Sequence, residues 1–203
     1  MILRFLSDLI LAARHPHAPA RLARSAFQPA QLHHLDFIFD AHIREAATGH
    51  FSSDYLHPHT HAGLRAQLSD SITNWKCASR IGLVASRIYV CEDHATAIGF
   101  CWVRETAGPQ GLRQEIYAVY IRPENRGQGL ARALLEHVLR TFPKSTEFSA
   151  RLFPVSVAMK SIFMGLGFEH EQQPSSQTIH LQRSPAGHGR TRGATSAPES
   201  ASN

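Results

Sequence analysis

Glu115-Ile116-Tyr117-Ala118-Val119-Tyr120-Ile121-Arg122-Pro123-Glu124-Asn125-Arg126-Gly127-Gln128-Gly129-Leu130-Ala131-Arg132 is the stretch on which the fold turns. Its first half is rich in aliphatic and aromatic residues, the pattern of a buried strand, and Pro123 ends it. A turn with glycines at 127 and 129 follows. Leu130, Leu134 and Val138, flanked by Ala131, Leu135 and Leu139, then form the wide apolar stripe of a helix that packs on a sheet. The first backbone N–H groups of a helix lack internal partners and carry partial positive charge. Glycines just before them let an anion approach the backbone, so the segment reads as a phosphate site. At ~7% glycine, two glycines at one spacing are expected roughly once in a chain this long. The weight rests on their context: the strand before, Arg126, the small Ala131 and the helix after. The pattern is neither G-x-G-x-x-G nor a P-loop, for no Gly-Lys-Ser/Thr follows.

Outward from this stretch the order reads helix, helix, three strands, helix, strand, helix and one or two strands. Leu35, Ile38, Phe39, Ile43 and Ala46 recur at helical spacing over 31–47, and Leu64, Leu68, Ile72 and Trp75 do so over 62–79. Ser86–Cys91 and Ala97–Arg104 are β-rich, and Glu92-Asp93-His94-Ala95-Thr96 between them reads as a hairpin turn. Gly108-Pro109-Gln110-Gly111 breaks the chain before the strand Gln114–Ile121. Glu147–Phe153 is a further strand, Val155–Leu166 a helix stopped by glycines, and Thr178–Gln182 a final strand.

The ends differ from this middle. Residues 1–30 begin with a short apolar run and turn Arg/His/Pro/Ala-rich, which reads as a loosely attached helix and linker. Residues 184–203 hold no large apolar side chain and read as a disordered tail. The domain is thus expected over 31–183. The net charge is +5 over 203 residues, but Arg4, Arg14, Arg21 and Arg24 against Asp8 place most of it in the leader. No basic nucleic-acid face on the domain follows from charge. No apolar run reaches the ~18 residues of a membrane span. Three scattered cysteines, Cys77, Cys91 and Cys101, point away from a disulfide framework and toward a reducing, cytoplasmic compartment. His57-Pro58-His59-Thr60-His61 places three imidazoles at alternating positions, yet only Asp54 lies near as a further ligand. The expectation is a solvated loop and no metal.

The segment Arg126-Gly127-Gln128-Gly129-Leu130-Ala131 resembles the signature Arg/Gln-x-x-Gly-x-Gly/Ala of the GNAT superfamily of acyl-CoA-dependent N-acyltransferases, and fits every defined position. Met164-Gly165-Leu166-Gly167-Phe168 is similar to the family's usual Gly-Phe ending. The resemblance covers about residues 31–183. It implies an α/β fold: a mixed sheet, flanked by helices, whose fourth and fifth strands splay apart. It implies acetyl-CoA as co-substrate, its pantetheine paired with main-chain groups of Val119 and Ile121 and its pyrophosphate on the amides of Arg126–Ala131. Homodimers are common in such families and are among the expected assemblies.

The remaining site residues follow from that frame. An acceptor amine such as a lysine arrives protonated, with an unperturbed pKa of about 10.4. Glu115, six residues before Ile121, matches the base of the histone-acetylating branch, and period-two counting places it on the face of Val119 and Ile121. Two positions depart from the family: Ser156 stands where many members have Asn, and Phe163 stands where a Tyr protonates the leaving thiolate. Phe163 has no hydroxyl, so either another group acts as the acid, with Tyr120 nominated and Tyr117, Ser156 and water as alternatives, or the thiolate leaves unprotonated. Ser156 and Phe163 are expected against the cofactor. The first helix and the loop after it line the acceptor site in such folds, which nominates His42, Glu45 and His50. The expected activity is transfer of an acetyl group to a primary amine of a small molecule or protein. The alternative is a non-catalytic CoA-sensing module on the same fold.

Overall fold

Long alternating runs separated by tight turns dictate a meander of strands between residues 82 and 121. In the computed structural model, which describes residues 25–109, 111–171 and 177–185, these are β3 (Gly82–Asp93), β4 (Thr96–Gly108) and β5 (Gly111–Ile121). His94 and Ala95 turn the first hairpin with φ of 50° and 61°, the left-handed geometry that a two-residue hairpin needs. Around the meander lie β1 (Ala26–Pro29), β2 (Lys76–Ser79), β6 (Phe148–Leu152), β7 (Glu169–His170) and β8 (Ile179–Arg183). The sheet order is β1-β3-β4-β5-β6-β8-β7, with β2 also paired to β3. Among the described strands only β5 and β6 run parallel.

Among the described residues, four α-helices cover this sheet: α1 (Leu35–Ala47), α2 (Pro58–Thr73), α3 (Leu130–Arg140) and α4 (Val157–Gly165). Their apolar stripes divide the core in two. On one face Ile38, Leu64, Leu68 and Ile72 of α1 and α2 pack on Ile88, Phe100 and Trp102 of β3 and β4. On the other, Leu134, Leu135 and Val138 of α3 and Phe163 of α4 pack on Val103, Ile116, Phe148, Ala150 and Leu181. Each fully buried large apolar side chain contributes about 1.5–3 kcal/mol.

Two features of β5 shape the ground beside it. It pairs with β6 only at Gln114–Phe148, Glu115–Ser149 and Ile116–Ala150. It continues beside β4 to Ile121. From residue 117 onward its β6-side edge therefore faces a gap. The register with β4 also slips: Trp102 pairs with Ala118 but Val103 with Ile116. Tyr117 is the extra residue of a β-bulge, which turns the side chains after it to opposite faces.

The structure corrects several sequence expectations. Residues 26–29, assigned to the leader, form β1 and pair with β3. The second helix starts earlier and ends sooner than 62–79: Pro58 sits in its first turn, so His59 and His61 are helical, and residues 76–79 form β2. The break comes at Trp75, which is left-handed and half exposed. The first part of the leader and the tail beyond 185 lie outside the described residues. Among the described residues no helix is long and apolar enough to cross a membrane.

Candidate active site

The gap between β5 and β6 opens into a cleft of about 1520 Å³ that runs from the Arg126–Arg132 loop to the β2–β3 hairpin. Its floor is the part of the sheet that α1 and α2 leave uncovered. Alternation in Phe148-Ser149-Ala150-Arg151-Leu152 sends Phe148, Ala150 and Leu152 to the α3 core and leaves Ser149 and Arg151 on the cleft face.

At one end stands the glycine loop. Gly127 and Gly129 have φ of 75° and 78°, a region costly for other residues. Gly129 caps α3, and a Cβ there would meet nothing within 4 Å. That open space before a helix N-terminus is where an anion fits. Leu130 is buried in the core, so only its amide is available. Ala131 lines the cleft, while Gln128 turns back to the Glu124 carbonyl at 3.4 Å. Arg126 points inward: its Nε donates to the Ile121 carbonyl at 2.9 Å and its Nη2 to Glu45 at 2.6 Å. The Ile121 carbonyl is thus already taken, and Val119 keeps the freer backbone in the gap.

Glu45, nominated for the acceptor, is buried and tied to this loop instead. Its own carbonyl accepts from the amides of His50 and Phe51. His50 Nδ1 lies 2.9 Å from Ser156 Oγ. Two residues nominated separately, 106 positions apart, therefore meet across the cleft. Phe163 is buried edge-on against Phe168, with ring centroids 4.8 Å apart.

Glu115 differs from its sequence reading. The bulge at Tyr117 reverses the count, so Glu115 shares its face with Tyr117 and Tyr120, while Val119 and Ile121 face the α3 core. Its carboxylate is 3% exposed and both oxygens accept from guanidiniums, Arg104 Nε at 3.3 Å and Arg151 Nε at 2.6 Å. An amine proton arriving at either oxygen competes with an N–H already bonded there. Tyr120 is buried under α1 beside Phe37 and Phe100, and its phenol accepts from Arg44 at 3.1 Å.

Apart from Tyr117, named as an alternative acid, sequence reasoning missed the rest of the floor. Tyr55 and Tyr117 share a hydrogen bond of 2.8 Å. Burial, then the Tyr117 phenol, pushes the Tyr55 phenol up. Arg104 lies over the Tyr117 ring at 3.5 Å. The signal available was the alternating polar face of residues 149 and 151 beside Glu115, visible once the two strands are paired.

His42 is fully buried among Phe51, Tyr55, Phe100 and Trp102. Nδ1 lies 2.9 Å from the Ile38 carbonyl, to which it donates, and Nε2 has no partner among the described residues. Burial, only partly opposed by that bond, pushes its pKa down to about 4. A depressed histidine pKa leaves the native state neutral, so stability is full above the unfolded value near 6.5 and is lost as pH falls toward 4. The loss attributable to His42 is about 3 kcal/mol. Urea titrations at pH 7 and 4.5 are expected to show a shallower pH dependence in His42→Phe than in the parent; equal dependence would refute the assignment.

The three histidines at 57–61 do not converge: His61 lies 2.9 Å from the Tyr55 carbonyl, while His57 and His59 stack on each other. A different group, His33, His34 and Glu92, brings its ligand atoms within 4.8 Å. His34 already uses both nitrogens, accepting from the Gln31 amide and donating to Glu92. That arrangement ties α1 to the sheet edge. The thiols of Cys91 and Cys101 are buried in the core, and burial pushes Cys91 up to about 11.

Residues 85–170 match the family model described as acetyltransferase (GNAT) domain. Solved structures agree on the fold. PaiA N-acetyltransferase from Thermoplasma acidophilum, solved with coenzyme A, is 14% identical, with TM-score 0.58 over 79% of this chain and 98% of that one. Ribosomal-protein-alanine N-acetyltransferase from Brucella melitensis is 14% identical, with TM-score 0.59 over 78% and 99%. The ribosomal-protein-S18-alanine N-acetyltransferase from Escherichia coli is 12% identical, with TM-score 0.55 over 82% and 97%. No curated protein sequence matches the chain.

Proposed function

We propose that the protein transfers the acetyl group of acetyl-CoA to a primary amine. The observation that carries this reading is the parting of β5 from β6 after Ile116, with the Gly127–Gly129 loop at the end of the gap. In it the pantetheine lies along the open edge of β5 from Tyr117 to Ile121, with Val119 its main backbone partner. The pyrophosphate rests on the amides of Gly127–Ala131, aided by the N-terminus of α3.

The amine attacks the thioester carbon. A C–N bond forms, the carbonyl oxygen takes the electron pair, and strand amides next to the bulge, near Val119–Tyr120, steady the oxyanion. The oxyanion then collapses, the C–S bond breaks and CoA leaves as thiolate. Phe163 offers it no proton. The amine's two lost protons pass to solvent, since both Glu115 oxygens are bonded to arginines. Glu115 serves as a positioning residue in this scheme, and catalysis rests on proximity and electrostatics.

Calorimetric titration with CoA and acetyl-CoA, followed by release of free CoA thiol over a broad amine panel, tests the reading. Saturable one-to-one binding and amine-dependent thiol release are expected. Absence of CoA binding would overturn it. Binding without turnover on any amine would favour the sensing module, to which Phe163 lends its weight.

A further inference from the structure

The cleft floor carries a local imbalance of charge around Glu115. Arg113 is more than matched, forking onto Glu171 at 2.9 and 3.1 Å with Glu147 3.5 Å away. Glu115 is not enough for its neighbours: one carboxylate faces both Arg104 and Arg151. Each of these arginines uses only Nε on Glu115, and their terminal nitrogens have no partner among the described residues. Those of Arg104 are stacked over Tyr117 and the side chain is 17% exposed. Arg151 is 49% exposed and lines the cleft just where β5 and β6 part. A guanidinium fixed at Nε, with its outer edge open, is a fork for a planar anion.

We propose that Arg151 reads a carboxylate on the acceptor, and that the acceptor is a free amino acid. Its carboxylate sits on the outer edge of Arg151 and its amine faces the thioester. The inference rests on the N-acetyltransferase reading and deepens it. The charge count supports this class over a polyamine. An amine reaches the site as a cation, and the Arg104–Glu115–Arg151 group, with one guanidinium in excess, repels a second cation at Arg151 but takes up a carboxylate that offsets it. Glu115 is too deeply buried and too fully bonded to receive the ammonium itself.

The test uses the full chain with each amino acid, its amide and its decarboxylated amine. A charge-assisted fork predicts acid over amide in kcat/KM by roughly 10–100-fold. In Arg151→Met the ratio is expected to fall to parity, mainly through KM, while Arg151→Lys, which keeps charge without the fork, falls between. The ratio is internal to each variant, so partial loss of folded protein does not disturb it. Calorimetric titrations with acids and amides, with and without CoA, read the same preference apart from turnover. Failure of CoA binding would remove the N-acetyltransferase reading while leaving the acid preference measurable. Equal handling of acid and amide by the parent, an unchanged ratio in Arg151→Met, or turnover confined to peptides or polyamines would each overturn the proposal.

Discussion

Gly129→Glu is expected to lower CoA affinity by at least about 100-fold, equivalent to about 2.7 kcal/mol, while the domain stays folded. Gly129 is left-handed at the N-cap of α3, so any side chain there is strained by roughly 1–2 kcal/mol. The space around its missing Cβ is open, with nothing within 4 Å. A glutamate therefore fits without collision, and its carboxylate is favoured by the helix N-terminus, offsetting part of the strain. That favourable position is where the pyrophosphate would sit. Like charges about 4 Å apart repel by about 4 kcal/mol at an effective dielectric constant of 20, and partial exposure lowers this. Gly129→Ala separates the causes: it carries the strain without the charge and should weaken binding only slightly. Calorimetry with CoA checks both. Unchanged affinity in Gly129→Glu would place the pyrophosphate elsewhere.

The loop and helix of this site were legible because each step has a local cause: a proline ends the strand, glycines turn it and a leucine stripe packs the helix. Features set by tertiary pairing were not. Period-two counting put Glu115 on the face of Val119 and Ile121, and one extra residue at Tyr117 reversed that. A bulge leaves no mark in hydrophobic periodicity. The strand Ala26-Phe27-Gln28-Pro29 is too short to stand out, and it is held by its pairing with β3 and the Gln28–Glu92 hydrogen bond of 2.6 Å. The helical reading of 62–79 carried one turn too far because Trp75 fell in register, although it is half exposed and left-handed. The charged floor escaped for a related reason. Arg104, Glu115 and Arg151 sit on three strands, and only the parallel pairing of β5 with β6 brings the last two together. Meetings such as His50 with Ser156 are invisible without the fold.

Glu115→Gln is expected to act through stability and acceptor handling, with a pH profile parallel to that of the parent. The carboxylate is the shared partner of two guanidiniums, and it is buried while Arg151 is half exposed. Removing one member of a buried pair costs about 3–5 kcal/mol. A glutamine oxygen can still accept from one arginine and Arg151 can turn toward water, so the lower end, about 3 kcal/mol, is expected from urea denaturation. The glutamine N–H₂ then faces the second guanidinium and loosens both arginines. The kcat/KM falls because the acceptor is held less well, and the fall appears mainly in KM. A general base behaves differently. Its loss lowers turnover by about 10²–10⁴-fold near neutral pH, and the deficit shrinks as free amine becomes abundant at high pH. Measuring kcat from pH 6 to 9 in both proteins decides between these. A constant ratio of parent to variant supports the positioning role. A deficit in kcat that closes as pH rises would show that Glu115 takes the amine proton despite its two arginines, and that one of them moves away when the acceptor binds.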